Sequence, residues 1–350
     1  MASTPRTTAP PRQAPLWGMP DNTCTTTDVG DAAAAAAALP PVGEYAIEAD
    51  GVRVFYRHSG PTDPGSPTVL LLHGYSSSSY MYRGLMPYLA ASGYRVVAPD
   101  LPGSGFTEVP RARRYAYTFA SLASTLEAFV DALGLGRFAM YVFDHGAPVG
   151  FRLALRRPDA VTAIVSQNGN VCAEGLRMPF WEPIEAYWAT ASSSSSSSHR
   201  QNRAEQCRQA ISGALELPTT RWCRSWGLPA DVSAEHEAAL AEACRLDQAL
   251  LDRPGAKEAQ LDLFYDYRTN LELYPRFQQY LYASRVPVLA VWGRNDPIFA
   301  PEGALALGRH VEEFEMHWLD AGHFALDGNE AQVAGLMRSF FDTYYVFSPF

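Results

Sequence analysis

Short apolar runs alternate with amphipathic stretches along much of this chain, and few architectures accommodate that pattern. The run TVLLLHG from Thr68 is apolar throughout, which predicts a central strand covered on both faces. RVVAPDL from Arg95, FAMYVF from Phe138 and VTAIVSQ from Val161 follow it, and the stretch FASLASTLEAFVDALGL from Phe119 has a helical pattern. Because strands that alternate with helices pair in parallel, we expect an α/β fold built on a mostly parallel, doubly wound sheet.

The alternation stops between about Val171 and Ser284, where aromatic residues and helical patterns dominate. A run of seven serines in this segment, Ser192 to Ser198, predicts a loop. The strand pattern resumes with PVLAVWG from Pro287 and FEMHWL from Phe314. Two β-rich runs, EYAIEA from Glu44 and VRVFYR from Val52, precede TVLLLHG. We therefore expect a helical insertion between the sixth and seventh strands.

These boundaries predict three parts of the chain. Residues 1–41 are rich in Thr and Pro and then Ala, a composition that buries too little apolar surface to order itself, so we expect a disordered tail. Residues 42–170 and 285–350 are expected to form the α/β core, and residues 171–284 the helical insertion.

Composition removes several classes of function. A formal net charge of -9 offers no basic surplus for nucleic acid. The chain has neither a long apolar run for a membrane span nor the apolar core of a signal peptide, so a cytoplasmic location is the expectation. The cysteines are odd in number and lack a C-x-x-C pair, which indicates free thiols rather than a metal site: Cys24, Cys172, Cys207, Cys223 and Cys244.

Polar residues follow four of the predicted strands. Catalytic groups of open parallel sheets gather at the carboxyl ends of the strands, so these positions are the candidates for a site. They are His73-Gly74-Tyr75-Ser76, Asp144-His145-Gly146, Arg294-Asn295-Asp296-Pro297 and Asp320-Ala321-Gly322-His323.

Three of these residues form a plausible catalytic set. Asp144 stands at the apex of Val142-Phe143-Asp144-His145-Gly146, where a carboxylate is able to attack carbon and form an ester. His323, held by Asp296, is then suited to activate water against that ester. A strand-end Asp is often only a turn former, and Glu174 remains an alternative to Asp296 as the acid.

The chain resembles the aspartate-nucleophile branch of the α/β-hydrolases, which contains epoxide hydrolases and haloalkane dehalogenase-like proteins. The resemblance spans roughly Gly43 to Phe341 and rests on these segments: HGYSSSSYMYR, VVAPDLPGSGFTEVP, YVFDHGAPVGFRLALRRP, AIVSQNGN, VWGRNDPIF and DAGHFAL. It implies an α/β-hydrolase fold, with a mostly parallel eight-stranded sheet, helices on both faces and the insertion as a helical cap over the active site.

The resemblance also implies roles for further residues. The backbone N–H groups of Tyr75 and His145 are expected to form an oxyanion hole, with His73 organising that loop. Tyr267, in a Tyr-Arg step similar to that of epoxide hydrolases, is the candidate acid for the leaving oxygen, and Tyr187 is the candidate second tyrosine. Both tyrosines have packing as the simpler interpretation.

The chain departs at one position from the pattern of epoxide hydrolases and at another from that of haloalkane dehalogenases. Ser76 stands where epoxide hydrolases usually carry the proline of H-G-x-P, and His145 stands where haloalkane dehalogenases place a halide-binding Trp. The His145 ring and two tryptophans of the insertion, Trp181 and Trp188, remain candidate halide donors.

We therefore expect an epoxide hydrolase, which uses water to open the epoxide ring of a small hydrophobic substrate. Dehalogenation or ester cleavage on the same scaffold is the alternative, and a catalytically silent small-molecule binding protein is the third. None of these requires a metal or an organic cofactor. The sequence leaves a homo-oligomer open.

Overall fold

A central sheet of eight strands carries the fold, and the computed structural model describes it within residues 39–190 and 197–347. The strand order is β1-β2-β4-β3-β5-β6-β7-β8. The β1·β2 and β2·β4 pairs are antiparallel and every other pair is parallel. The strands are β1 (Gly43–Ala49), β2 (Val52–Ser59), β3 (Thr68–Leu72), β4 (Arg95–Pro99), β5 (Phe138–Phe143), β6 (Val161–Gln167), β7 (Val288–Gly293) and β8 (Phe314–Leu319).

Helices cover this sheet and fill the insertion. In chain order they are α1 (Leu85–Ala91), α2 (Phe119–Ala132), α3 (Gly146–Arg156), α4 (Glu182–Trp188), α5 (Ser197–Ser212), α6 (Leu217–Ser225), α7 (Ala234–Leu251), α8 (Ala256–Asp266), α9 (Arg268–Ser284), α10 (Pro301–Gly308) and α11 (Glu330–Thr343). Within the core, α2 packs on α3 and α1 packs on α11. Every residue of β3, β4 and β5 is buried, as expected of central strands covered on both faces.

The α/β-hydrolase fold predicted from the sequence is confirmed. Each predicted strand begins within about one residue of its position in the structure, and α2 begins at the predicted Phe119. The helix starts there because the Thr118 hydroxyl accepts a hydrogen bond from the Ser121 N–H at 3.1 Å. Six helices of the described residues, α4 to α9, lie between β6 and β7, where the alternation stops.

Some predicted features lie outside the described residues. Of the tail predicted at 1–41, only 39–41 are described, so the alanine run and Cys24 fall outside. Five residues of the serine run, 192–196, are likewise outside, whereas Ser197 and Ser198 begin α5 instead of the expected loop. Among the helices that the structure describes, none has the length and hydropathy needed to cross a bilayer.

Candidate active site

Asp144 occupies the sharp turn between β5 and α3. Its φ is +47°, a left-handed conformation that is uncommon for a residue other than glycine and that is often found at functional sites. The turn requires a glycine two residues later, because a Cβ on Gly146 would lie 2.2 Å from the Leu72 carbonyl oxygen. The strand-to-helix turn expected from the sequence is therefore present, with a carboxylate at its apex.

The two oxygens of the Asp144 carboxylate have different surroundings. The Tyr75 N–H donates to Oδ1 at 2.6 Å, whereas Oδ2 faces His323 Nε2 at 3.7 Å, which is beyond hydrogen-bond distance. Asp144 is 5% exposed and His323 is 1% exposed. One oxygen is thus anchored by a backbone donor, and the other faces the imidazole.

His323 is oriented by Asp296. Nδ1 of His323 lies 2.9 Å from Asp296 Oδ2, and that oxygen also accepts from Asn168 Nδ2 at 2.6 Å. The N–H groups of Ile298 and Phe299 donate to Oδ1 at 2.7 and 3.1 Å. These four contacts fix the carboxylate and, through it, direct Nε2 of His323 toward Asp144.

The pKa of His323 is raised above 6.5. Burial acts to lower this pKa, but the charge and hydrogen bond of Asp296 together with the charge of Asp144 outweigh burial. Nε2 of His323 is buried and has no hydrogen-bond partner among the described residues. An imidazole held in this way suits the role of a base that takes a proton from water.

The structure brings Asp296, rather than Glu174, to His323. Glu174 lies in a short 3₁₀ helix after β6 and forms an ion pair with Arg309 at 3.2 Å, with half of its side chain exposed to solvent.

His73 ties the loop after β3 to the loop after β4. Its Nε2 accepts a hydrogen bond from the Leu101 N–H at 2.9 Å, and Nδ1 lies 3.0 Å from the Gly74 carbonyl oxygen. Burial lowers the pKa of His73, so its ring is neutral at neutral pH. These contacts hold the loop that presents the Tyr75 N–H. In the same loop, the hydroxyl of buried Ser76 has no hydrogen-bond partner among the described residues.

The His145 ring lies in a box of aromatic side chains. The ring centroids of its neighbours are 5.2 to 6.0 Å away, and they are those of Phe119, Phe264, Tyr267 and Tyr75. Burial lowers the pKa of His145, and no hydrogen bond joins its ring to another described residue. Its backbone N–H lies at the start of α3, where the free amides of a helix accumulate.

Tyr267 lies between α8 and α9, fully buried beside the His145 ring. Its hydroxyl is 3.1 Å from that of Tyr274, a partner that the sequence analysis missed. Burial raises the pKa of Tyr267 well above 10, and the charge of nearby Asp144 adds to the rise. The spacing of Tyr267 and Tyr274 could have predicted this contact. Seven residues make about two helical turns, which places both side chains on one face of a helix.

Tyr187, the candidate second tyrosine, is placed elsewhere. Its hydroxyl accepts a 3.4 Å hydrogen bond from Arg208, which also pairs with Asp262. Its ring contacts Tyr265. None of these neighbours belongs to the group around Asp144, so the described contacts do not bring Tyr187 to the site.

The two candidate halide donors of the insertion are already bonded to the backbone. Trp181 Nε1 donates to the Ile298 carbonyl at 2.9 Å, and Trp188 Nε1 donates to the Phe264 carbonyl at 2.7 Å. Both rings pack on Tyr267. The indoles therefore contribute apolar walls rather than free donors.

A buried ion-pair network connects the insertion to the core. Arg224 of α6 donates to Asp247 Oδ2 of α7 and, at 2.6 Å, to Asp327 Oδ2, four residues after His323. Its guanidinium also lies 4.1 Å above the centroid of Phe324. The sequence analysis missed this residue.

The segment after α6 docks on both loops that carry Asp296 and His323. Asn295 Nδ2 donates to the Gly227 carbonyl at 2.9 Å, and a Cβ on Gly322 would lie 1.7 Å from the Trp226 carbonyl oxygen. The glycine before His323 is thus required by this close approach.

No cluster of three or more His, Cys, Asp or Glu side chains able to hold a metal ion occurs in the described parts of the chain. The cysteines within those parts are free thiols: Cys172, Cys207, Cys223 and Cys244.

The fold and the positions of these residues define an α/β-hydrolase, and a family model for the alpha/beta hydrolase fold matches residues 67–330. The chain belongs to this family. An uncharacterized hydrolase of Saccharomyces cerevisiae is 42% identical over 293 residues, which cover 83% of this chain and 94% of the yeast protein. The protein is therefore a hydrolase of the α/β-hydrolase family.

More distant relatives have named activities. A haloalkane dehalogenase of Psychrobacter cryohalolentis is 38% identical over 117 residues, covering 33% of this chain and 38% of that protein. The crystal structure of an epoxide hydrolase from Vigna radiata has a TM-score of 0.61 at 22% identity, covering 86% of this chain and 98% of that chain. The structure of a haloalkane dehalogenase from Bradyrhizobium elkani has a TM-score of 0.61 at 21% identity, covering 86% and 99%. These two structures share the fold.

Proposed function

We propose that this hydrolase opens epoxides to vicinal diols through a covalent ester on Asp144. The observation that carries the proposal is the difference between the two oxygens of the Asp144 carboxylate. Oδ1 accepts a hydrogen bond from the Tyr75 N–H, whereas Oδ2 faces His323. A carboxylate anchored on one oxygen presents the other for attack on carbon. The same anchoring amide is then in place when the ester is hydrolysed.

In the first step, Oδ2 of Asp144 attacks an epoxide carbon and the C–O bond of the ring breaks. The electron pair goes to the epoxide oxygen, which takes the proton of the Tyr267 hydroxyl. Tyr267 suits this role because it is buried, lies beside the His145 ring, and is near enough to Asp144 to be influenced by its charge. The products are a hydroxyalkyl ester on Asp144 and a tyrosinate.

In the second step, His323 takes a proton from water and the resulting hydroxide attacks the carbonyl carbon of the ester. The oxyanion that develops at Oδ1 is stabilised by the Tyr75 N–H, and we assign the second donor to the His145 N–H at the start of α3. Each donor is worth about 3 kcal/mol in such sites. When the bond between the carbonyl carbon and Oδ2 breaks, the imidazolium of His323 gives its proton to the departing alkoxide and the diol leaves. The proton that remains on the Asp144 carboxyl returns to the Tyr267 oxygen, so both groups are restored.

Dehalogenation is the second candidate, and the free His145 ring is the observation that favours it. A halide ion needs donors when it leaves, but Trp181 and Trp188 are bonded to carbonyls. His145 is the remaining polar ring beside the nucleophile. An epoxide oxygen needs a proton as well as a hydrogen bond, and Tyr267 supplies one, so epoxide opening fits this set of donors better.

We further propose that α4 to α9 form a cap and that the substrate is small and hydrophobic. The insertion supplies aromatic walls, Trp181, Trp188 and Phe264, around Tyr267 and His145. A protein that only binds ligands would have no need of the water-activating pair of His323 and Asp296, so catalysis is favoured over silent binding.

The test is mass spectrometry of His323→Gln protein mixed with epoxides, haloalkanes and activated esters. Without its base the enzyme is expected to accumulate an ester on Asp144 with an epoxide. The matched control is His323→Gln/Asp144→Asn, which should gain no adduct. An adduct formed only from haloalkanes would assign the enzyme to dehalogenation. No adduct from any compound, with an inert wild-type protein, would support a binding protein.

A further inference from the structure

We propose that Tyr274 is a positioning residue that turns the proton of Tyr267 toward the substrate. The two hydroxyls are 3.1 Å apart and either one is able to donate. The direction of this hydrogen bond matters, because a Tyr267 hydroxyl that donates to Tyr274 has no proton to offer an opening epoxide. The inference rests on the proposed function and adds to it the group that controls the acid.

Asn170 favours one direction for the hydrogen bond between the Tyr274 and Tyr267 hydroxyls. Its Oδ1 accepts from the Cys172 N–H at 3.2 Å, and its Nδ2 donates to the Cys172 carbonyl at 2.7 Å. These two contacts establish which end of the amide is nitrogen. The same Nδ2 lies 3.4 Å from the Tyr274 hydroxyl, so the oxygen of Tyr274 is an acceptor for it.

Among the described contacts, the Tyr267 oxygen is the only acceptor for the Tyr274 proton, so we assign that proton to the bond between the two hydroxyls. The Tyr267 oxygen then accepts, and its proton is free of any protein acceptor among the described residues. The chain of donors therefore runs from Asn170 through Tyr274 to Tyr267 and ends at the site. All three side chains are buried, so bulk solvent has little access to this path.

The same arrangement stabilises Tyr267 after it has given up its proton. The tyrosinate accepts the hydrogen bond of Tyr274, a bond that strengthens when the acceptor is charged. Burial raises the pKa of both tyrosines, and the charge of the Arg152 guanidinium acts against that rise. Arg152 is itself held by Asn270 Oδ1 at 2.5 Å and lies over the Phe119 ring.

The experiment measures the rate of ester formation with an epoxide in the His323→Gln background, where the adduct accumulates. Tyr274→Phe is expected to slow this step about tenfold, as for the loss of one well-placed hydrogen bond. Hydrolysis of the ester, measured in protein that retains His323, should be unchanged because Tyr267 takes no part in attack on the ester. The matched control is Tyr280→Phe on the same helix, which should leave both rates as they were.

A double substitution separates positioning from packing. In protein that already carries Tyr267→Phe there is no proton to direct, so adding Tyr274→Phe should change ester formation by less than about twofold. An equal loss in both backgrounds would show that Tyr274 acts on packing alone and would overturn the proposal. So would a normal rate in Tyr274→Phe itself.

Asn170→Asp supplies a second route if Tyr274→Phe does not fold. An ionised carboxylate at this position accepts rather than donates, so the chain reverses and the Tyr267 proton turns away from the site. Ester formation should therefore fall increasingly as the pH rises and the new carboxyl ionises, and a flat response would contradict the proposal. If His323→Gln protein forms no epoxide adduct at all, the proposed function fails as well. An adduct with no effect at Tyr274 or Asn170 removes only this inference.

Discussion

His323 lies between two carboxylates, and its protonation depends on both. The charges of Asp296 and Asp144 raise its pKa above 6.5 against the opposing effect of burial. In the proposed covalent ester Asp144 carries no charge, so one of the two contributions disappears. The imidazole should therefore be easier to deprotonate in the intermediate, where a free base is needed, than in the resting enzyme.

This difference gives a prediction for the pH profile. Asp144→Asn removes the same charge as ester formation, and the pKa of His323 measured by NMR should be lower in this variant than in the wild type. With an epoxide for which ester hydrolysis limits turnover, the kcat of the wild type should fall as pH drops through the lower of the two values, because only the neutral ring accepts a proton. The pKa of His58, which burial lowers, should be the same in both proteins. A higher pKa in Asp144→Asn would contradict the assignment of Asp144 as the neighbour of His323.

Candidate residues at strand ends could be predicted from the sequence, whereas their hydrogen-bond partners could not. Asp144, Asp296 and His323 each follow a strand, so their meeting is a consequence of the sheet. The pairing of Tyr267 with Tyr274 and the bonded state of Trp188 depend on how side chains pack in the insertion, and strand periodicity carries no information about that packing.

At the scale of elements, Arg224 couples the insertion to the loop of His323. It is fully buried and pairs with Asp247 and Asp327. Arg224→Met should lower the free energy of unfolding by about 3–5 kcal/mol, because two carboxylates would be left buried without a partner. Arg157 likewise pairs with two carboxylates, Asp131 at 2.6 Å and Glu127 at 3.0 Å, but it does so at the surface. Arg157→Met should therefore cost less than about 1 kcal/mol.

Chemical denaturation at several pH values checks this prediction. Burial raises the pKa of Asp247 to about 6 even with Arg224 present. A carboxyl whose pKa is raised on folding stabilises the folded state at low pH and loses that contribution as the pH rises through its folded pKa. Loss of Arg224 removes the charge and hydrogen bond that lower this pKa, so the pKa of Asp247 is higher still in the variant. The deficit of Arg224→Met should therefore shrink as the pH falls toward 6 and Asp247 becomes protonated in the variant. A deficit equal to that of Arg157→Met would show that the network contributes nothing.

The elements themselves were largely predictable, and their arrangement in the insertion was not. Strands such as Thr68–Leu72 have a two-sided apolar pattern that only a central position satisfies. The helices α4 to α9 have no such constraint. Ser197, expected in a loop, opens α5, because a helix start tolerates serine as readily as a loop does.

For the whole molecule, the formal net charge of -9 sets which substrates approach easily. Neutral epoxides should show a kcat/KM that is independent of ionic strength. An epoxide of the same size bearing a carboxylate should react more slowly at low salt and recover as salt screens the repulsion. Steady-state kinetics across a salt series would test this. If the carboxylate substrate instead reacted faster at low salt, an attractive cation would have to lie at the site. Arg224 does not provide that cation, because it is already paired with two aspartates.

The docking of Trp226 and Gly227 on the loops of Asp296 and His323 limits how this protein can be recombined with its relatives. The insertion is contiguous in sequence and looks exchangeable as a cassette between β6 and β7. Its carbonyl groups nevertheless occupy the space beside Gly322 and hold Asn295, so a foreign insertion would meet loops shaped for a different neighbour. The inheritable unit is therefore the insertion together with those two loops, although Gly227 and Asn295 are 68 residues apart along the chain.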